Sequence, residues 1–187
     1  MNFSASSAFP ELTIVVPLYN EAASVEPLLK ELVGVLMELR LPYEIICVND
    51  GSTDGTARVL QTARASNRRI RIIHLSRNFG KEAALSAGLK FARGAAVIPM
   101  DADLQDPPRL IPFMVAKWKE GYQVVTARRA KRLNDSWMKR TSARVFYKVF
   151  NAVSETRIPE DTGDFRLMDR VVVDALNMLP ERARFMR

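Results

Sequence analysis

The sequence predicts an α/β protein in which a mainly parallel sheet is flanked by helices. Short runs rich in β-branched residues alternate with longer runs whose apolar residues recur every three or four positions, which is the pattern of successive βα units. Polar loops join these runs, without a long linker, repeat or low-complexity tract. With 187 residues and 48% hydrophobic content, the chain is large enough for one sizeable core. We therefore expect a single domain over residues 1–187.

Each predicted element has its own local signal. The strands are short apolar runs at residues 12–17, 43–48, 70–75, 94–100 and 122–127. The helices alternate with them, at residues 21–39, 54–65, 81–92 and 107–119. The first helix places Val25, Leu28 and Leu32 on one face. The last helix opens on two prolines, which a first helical turn tolerates because its amides have no intrahelical partner.

Beyond residue 128 the pattern changes to a basic amphipathic segment, residues 128–153. Residues 128–148 contain eight Lys or Arg residues against one acid, Asp135, in a chain whose net charge is +7. Aromatic and aliphatic residues alternate with these charges. A helix of this kind can lie at a membrane surface and attract anionic headgroups. A core-facing helix with a solvated charged side is the alternative, and the pattern does not separate the two.

Other features restrict the class of protein. The single cysteine, Cys47, lies in an apolar run, which excludes an internal disulfide and fits a small buried hydrophobe. The single histidine, His74, has no partner that indicates metal or nucleophilic chemistry and is expected to be structural. No apolar run approaches the roughly 18–20 residues of a membrane span, and the first residues lack signal-peptide features. The chain as given is therefore expected not to cross a bilayer.

The loops after the predicted strands carry the candidate chemistry. Residues 17–21, Pro-Leu-Tyr-Asn-Glu, lack the glycine-rich turn of a dinucleotide site, which disfavours a Rossmann oxidoreductase. Residues 49–56 hold acids that could accept hydrogen bonds from a ribose or base, although a turn and helix cap would need the same residue types. Parallel strands end at one edge of the sheet, where open α/β sheets bind ligands, so these loops are expected to converge.

The strongest signal is the acidic loop after the fourth strand, Asp-Ala-Asp-Leu-Gln-Asp-Pro-Pro at residues 101–108. If this segment stays extended, Asp101, Asp103 and Gln105 point to the same side. Their hard oxygen ligands suit Mg²⁺ or Mn²⁺ rather than zinc, with water and a diphosphate completing the shell. A solvated acidic turn is the alternative for an isolated Asp-x-Asp. The full string after a strand favours a metal site for a phosphorylated substrate.

Five motifs occur in consistent order along the chain, at residues 17–21, 49–56, 78–81, 101–108 and 163–168. Over residues 11–187 they resemble the inverting family 2 glycosyltransferases, in particular the polyisoprenyl-phosphate branch with its dolichol-phosphate mannose synthases and bactoprenol glucosyltransferases. The resemblance implies a GT-A type, Rossmann-like fold. It also implies transfer of a hexose from a nucleotide diphosphate sugar to a polyisoprenyl phosphate such as undecaprenyl or dolichyl phosphate. Similarity to the bactoprenol enzymes favours glucose and a UDP-sugar.

The resemblance assigns roles to individual residues. Around the nucleoside it implies Pro17, Tyr19, Glu21, Val48 and Asp50. At the ribose and diphosphate it implies Asp101, Ala102, Asp103 and Arg128, whose guanidinium suits bidentate binding of phosphate. Asp103 and Gln105 would ligate Mg²⁺ or Mn²⁺, and Arg132, Lys139 and Arg140 would contact the acceptor phosphate. The expected catalytic residues are Asp103, Arg128 and Asp164.

Asp164 lies where related enzymes with sugar acceptors keep a general base. A hydroxyl acceptor needs a carboxylate to remove its proton during attack. A phosphate acceptor is already largely ionised at neutral pH, because its second pKa is about 6. Asp164 is therefore expected to orient the sugar or the acceptor, and a structural role in which it caps a turn is the alternative.

The resemblance also implies a location at the cytoplasmic face of a membrane, contacted through residues 128–153. Members of this branch continue into membrane helices, so an end at Arg187 indicates truncation before such segments. Two other classes explain part of the pattern. A metal-dependent sugar nucleotidyltransferase also places acids on a sheet edge, and a basic nucleic-acid-binding domain explains the charge but not the acidic loop. We expect a nucleotide-sugar donor and a lipid acceptor as partners, and no nucleic acid.

Overall fold

The computed structural model describes residues 9–103, 105–128 and 162–179, which are organised around one six-stranded sheet. The strands are β1 (Leu12–Leu18), β2 (Tyr43–Asn49), β3 (Ile70–His74), β4 (Ala96–Pro99), β5 (Val124–Arg128) and β6 (Thr162–Asp169). Their order across the sheet is β3-β2-β1-β4-β6-β5. Strands β1 to β4 are parallel, and β6 runs antiparallel to its neighbours β4 and β5. The predicted mainly parallel sheet is confirmed.

Helices cover both faces of this sheet. They are α1 (Ala22–Glu38), α2 (Thr56–Ser66), α3 (Lys81–Phe91), α4 (Ile111–Lys119) and α5 (Arg170–Met178). Successive strand residues point to opposite faces. Ile14 and Val16 of β1 accordingly join a core with α1, α2 and α4, whereas Val15 joins a second core with α3 and α5. The predicted α/β class is thus realised as three layers, with the sheet in the middle.

Helix α3 lies close against the sheet because Gly88 faces β1. A Cβ atom built at Gly88 would lie 2.2 Å from Val15 Cγ1 and 3.2 Å from Val48 Cγ2, so a larger residue does not fit without a shift. Glycine in a helix interior costs about 1 kcal/mol relative to alanine. The close packing accounts for its presence here, and it holds Lys81, the first residue of α3, near the carboxyl ends of β1 and β4.

Three elements differ from the sequence prediction. The helix predicted over residues 107–119 begins with a 3-10 turn, Pro108–Leu110, and α4 itself starts at Ile111. Strand β4 is shorter than predicted. Strand β6 was not predicted, because its sequence has no β-branched run, yet it lies between β4 and β5 with Phe165 and Leu167 buried. Strands β4 and β5 are therefore not neighbours in the sheet.

Two predicted structural residues are confirmed as such. Cys47 is buried in β2, and burial raises the pKa of its thiol to about 12, so the side chain is a neutral core residue. His74 ends β3, where its Nδ1 accepts a hydrogen bond from Asn49 Nδ2 at 3.1 Å. Over the described ranges of the chain, no helix combines the length and the apolar character that crossing a membrane requires.

Candidate active site

The loops that follow β1, β2, β3 and β4 meet at the carboxyl edge of the sheet and enclose a cleft of about 340 Å³. We number them loops 1 to 4, for residues 19–21, 50–55, 75–80 and 100–107. Seven predicted site residues line the cleft: Pro17, Tyr19, Glu21, Asp50, Asp101, Ala102 and Asp103. The predicted convergence of these loops is therefore confirmed.

Loop 1 is held by hydrogen bonds to loop 2 and to Thr56, the first residue of α2. The Asn20 amide donates to Ser52 Oγ at 3.0 Å, and the Thr53 amide donates to Asn20 Oδ1 at 2.9 Å. The Glu21 amide donates to Thr56 Oγ1 at 2.9 Å. Asn20 adopts a positive φ of 55°, which asparagine tolerates better than most residues. The cleft wall that carries Tyr19 and Glu21 is thus held by two side-chain hydroxyls, of Ser52 and Thr56, and by the amide of Thr53.

The two acids of loop 2 have different tasks, which the sequence alone could not separate. Asp54 accepts hydrogen bonds from the amides of Thr56 at 2.9 Å and Ala22 at 3.1 Å, at the starts of α2 and α1. The side-chain and backbone hydrogen bonds from Thr56 are the main cause that lowers the pKa of Asp54, with a further contribution from the Ala22 amide. Asp54 therefore stabilises the turn that leads into α2, as in the alternative interpretation of this loop, while the N-cap position of α2 is Gly55.

Asp50 faces the cleft and fixes loop 3. It is only 2% exposed, and its Oδ1 and Oδ2 accept hydrogen bonds from the amides of Phe79 and Gly80, both at 2.8 Å. The adjacent Gly51 has a φ of 65°, and a Cβ there would lie 2.3 Å from the carbonyl carbon of Arg77. A charged acceptor and a glycine together allow the two loop backbones to approach this closely.

Lys81 is a site residue that sequence reasoning missed. Its Nζ lies 2.7 Å from Asp101 Oδ2 across the cleft, and both side chains are partly exposed, at 44% and 36%. The signal was present, since the motif at residues 78–81 follows the third strand of a sheet whose carboxyl ends bind ligands. Other lining residues outside the predicted set are Leu18, Asn78, Gly80 and Ala84. The cleft therefore presents a cation as well as four carboxylates, Glu21, Asp50, Asp101 and Asp103.

The acidic loop is a turn rather than the extended segment that the sequence interpretation assumed. The amide of Gln105 donates to Asp103 Oδ1 at 3.0 Å, an Asx-type turn that directs the chain towards Pro108–Leu110. Asp101 and Asp103 both line the cleft despite this turn, whereas Gln105 is exposed and is not among the lining residues. The expectation that all three side chains share one face is wrong, because the segment turns at Asp103 and is not extended. The metal-ligand role of Gln105 stays a prediction.

Of the remaining predicted site residues, the structure describes Val48 fully and only the backbone of Arg128 and Asp164. Val48 is fully buried in β2 among core residues and is not a lining residue of the cleft. Arg128 ends β5 and pairs in the backbone register with Thr162, the first residue of β6. Because β6 is antiparallel, its start lies at the carboxyl edge, and Asp164 is its third residue. The described part of the structure does not include the side chains of Arg128 and Asp164. It also does not include residues 129–161, which contain Arg132, Lys139 and Arg140.

This sheet order, with an acid-lined cleft at the carboxyl edge, agrees with the GT-A type glycosyltransferase fold that the sequence resemblance implies. Residues 13–176 match the family described as Glycosyl transferase family 2, and the chain belongs to that family. Membership places the protein among enzymes that transfer sugars rather than among nucleotidyltransferases or nucleic-acid-binding domains. The predicted family is confirmed.

Two curated relatives illustrate the similarity. An uncharacterized glycosyltransferase of Synechocystis sp. is 56% identical over 177 residues, which are 95% of this chain and 56% of the relative. The bactoprenol glucosyl transferase of Shigella phage SfV is 44% identical over 179 residues, which are 95% of this chain and 58% of that protein. The chain thus spans a little over half the length of these relatives.

Solved structures agree with the fold. The mannosyltransferase PcManGT from Pyrobaculum calidifontis, in complex with GDP-Man and Mn²⁺, has a TM-score of 0.60 and 26% identity, covering 91% of this chain and 47% of that one. Glucosyl-3-phosphoglycerate synthase from Mycobacterium tuberculosis has a TM-score of 0.61 and 20% identity, covering 87% and 58% of the two chains. The second likeness concerns the fold alone.

Proposed function

We propose that this chain is the donor-binding and catalytic part of an inverting glycosyltransferase that moves glucose from a UDP-sugar to a polyisoprenyl phosphate. The observation that carries the proposal is the grouping of Asp50, Asp101 and Asp103 in one cleft of a chain that is 44% identical to a bactoprenol glucosyl transferase. The cleft volume of about 340 Å³ lies in the range of small-molecule sites.

The donor nucleoside would bind between loops 1 and 2. Tyr19 is 45% exposed and presents a ring and a hydroxyl at the cleft wall. Glu21 and Asp50 offer carboxylate acceptors for the polar edge of a base or a ribose. Asp50 already uses both oxygens for loop 3, but each carboxylate oxygen can accept more than one hydrogen bond.

The side-chain oxygens of loop 4 fit a divalent cation of the Mg²⁺ or Mn²⁺ type. Such ions are bound by one or two carboxylates together with water and substrate phosphates. The described residues contain no group of three or more His, Cys, Asp or Glu that would form an all-protein site, so a cation here would need the donor diphosphate. Asp103 and Gln105 would hold it, with Asp101 nearer the ribose. A bound cation would supply stabilisation of the negative charge on the leaving diphosphate.

The transfer step breaks the bond between sugar C1 and the diphosphate oxygen and forms a bond from C1 to an acceptor phosphate oxygen. The acceptor would attack from the face opposite the leaving group, which inverts the anomeric centre. Arg128, at the end of β5, would pair with the departing diphosphate, and Asp164 would orient the sugar or the acceptor. The acceptor phosphate would contact Arg132, Lys139 and Arg140, and residues 128–153 would rest on the membrane surface.

Calorimetric titration tests the donor site directly. UDP-glucose and UDP are expected to bind with Mn²⁺ present and to bind about tenfold more weakly, or worse, after chelation, because a cation held by Asp103 would neutralise charge on the diphosphate. GDP-mannose is expected to bind more weakly than UDP-glucose. Failure of all three ligands to bind in the presence of Mn²⁺ would contradict the proposed function.

Replacement of Asp164 separates its two interpretations. Asp164→Asn is expected to lower the turnover for polyisoprenyl phosphate by about 10²-fold, because orientation of the reactants is lost. UDP-glucose affinity is expected to stay within about threefold of the parent value, since the proposed nucleoside contacts are in loops 1 and 2. A steady-state assay and a UDP-glucose titration measure the two quantities. Unchanged turnover in a folded variant would remove Asp164 from the site.

A further inference from the structure

A second concave surface lies at the opposite edge of the sheet, where β2, β3 and β4 begin. It is a groove of about 710 Å³ between the end of α1 and the loops that enter these strands. Five of its lining residues are arginines: Arg40, Arg68, Arg69, Arg71 and Arg93. A seven-residue strand spans roughly 23 Å, so this arginine groove is well separated from the donor cleft.

The one acid of the arginine groove is already engaged inside the protein. Glu44 is 6% exposed, and its Oε1 accepts hydrogen bonds from Thr13 Oγ1 at 2.9 Å and the Arg93 amide at 2.8 Å. Its Oε2 lies 2.7 Å from Arg71 Nη1. Among the residues that the structure describes, the guanidinium groups of the other four arginines form no ion pair within 4.0 Å. The groove therefore carries a local excess of positive charge.

A buried hydroxyl at the same place has no hydrogen-bond partner. Tyr43 is 6% exposed and lines the groove, and the Cζ of Arg69 lies 4.9 Å from the centroid of its ring. Within the described ranges, its hydroxyl oxygen is buried without a hydrogen bond. Buried polar groups are nearly always satisfied, so an unsatisfied hydroxyl on a residue that lines an arginine-rich groove indicates a missing acceptor.

We propose that the arginine groove binds a phosphate-bearing anion, either a small ligand with more than one phosphate or a lipid headgroup. Guanidinium groups suit phosphate oxygens because they donate two parallel hydrogen bonds. The Tyr43 hydroxyl donates to the same anion, and Glu44 holds Arg71 at the groove wall. The site is separate from the donor cleft and does not depend on the glycosyltransferase reaction.

Pyrophosphate is the probe, titrated by calorimetry in the presence of a chelator so that metal-dependent binding in the donor cleft does not contribute. Arg69→Ala and Arg93→Ala are each expected to weaken binding by about tenfold or more. The matched control is Arg64→Ala, which removes an exposed arginine of α2 that does not line the groove. Its affinity is expected to stay within about twofold of the parent chain.

Tyr43→Phe separates binding from a structural role. Because the hydroxyl makes no hydrogen bond in the described protein, its removal is expected to leave the thermal midpoint unchanged or higher. Pyrophosphate affinity is expected to fall by about threefold to tenfold, since a donor to a charged group is lost. Unchanged affinity with a lower midpoint would show that the hydroxyl serves only the fold and would overturn its part in the site.

Sedimentation with phosphatidylglycerol vesicles, against phosphatidylcholine vesicles, distinguishes the two sources of phosphate. A headgroup site is expected to weaken binding to phosphatidylglycerol vesicles in Arg69→Ala relative to Arg64→Ala, since both variants keep any membrane contact made by residues 128–153. A soluble-ligand site is expected to lose only pyrophosphate binding. If neither measurement distinguishes Arg69→Ala from Arg64→Ala, the groove is not an anion site. UDP binding with Mn²⁺ should be unchanged in every groove variant, so failure here is distinct from failure of the proposed function.

Discussion

Replacing Asp103 with asparagine is expected to lower the turnover for glucosyl transfer by roughly 10²–10³-fold while leaving the protein folded. Asp103 is exposed in the cleft, so the change removes a charge without opening a cavity in the core. The asparagine Oδ1 can still accept the hydrogen bond from the Gln105 amide, which preserves the turn. What is lost is the carboxylate that, in the proposed function, would hold a cation beside the donor diphosphate.

The measurement is a steady-state assay with UDP-glucose and a polyisoprenyl phosphate, together with thermal unfolding. Asp174→Asn is the matched control, because it removes an exposed acid of α5 that lies 3.2 Å from Arg170 and outside the cleft. Its turnover is expected to equal that of the parent chain. Turnover of Asp103→Asn within about threefold of the parent would exclude Asp103 as a metal ligand needed for the reaction.

The second large effect is expected for Gly51→Ala, which should lower the free energy of unfolding by about 2–4 kcal/mol. Two causes add: the φ of 65° is unfavourable for alanine, and its Cβ would lie 2.3 Å from Arg77 C and 2.5 Å from Asn78 N. The clash is with backbone, which cannot rotate away as a side chain can. Since loop 3 must then move off Asp50, UDP affinity is expected to fall as well.

Denaturant unfolding and UDP titration measure these two effects. Gly34→Ala is the control, because Gly34 lies within α1 and a Cβ there meets nothing within 4 Å. Alanine is the better helix former, so this variant is expected to gain up to about 1 kcal/mol. A Gly51→Ala protein with parent stability and parent UDP affinity would show that the close approach of loops 2 and 3 is not needed.

The sequence predicted the elements whose signals are local. Strands β1 to β3 and helices α1 to α3 appear within about two residues of their predicted bounds, because β-branched runs and helical apolar periodicity act over short distances. Strand β6 has no such run and forms because β4 and β5 pair with it, which is a tertiary effect. Local pattern could not reveal it.

In the candidate site, too, features with a local or topological signal were predicted, whereas features that depend on tertiary contacts were not. The convergence of four loops followed from parallel topology, and Asp101 and Asp103 were found from their position after a strand. The separate tasks of Asp50 and Asp54 depend on contacts with residues 79–80 and with Ala22, which are distant in sequence. The prediction that the acidic loop is extended, with three side chains on one face, was wrong because the loop forms a local Asx turn.

The insertion of β6 between β4 and β5 also constrains how this chain assembles during synthesis. Strand β5 ends at Arg128, but its partner in the sheet begins only at Thr162. Until β6 emerges, β4 presents an unpaired edge and β5 has no strand to join, a state prone to wrong pairing between molecules. The sheet is therefore completed late, when β6 pairs with β4 and β5. Variants that weaken β6 pairing are expected to reduce the yield of folded protein before they reduce the activity of the molecules that fold.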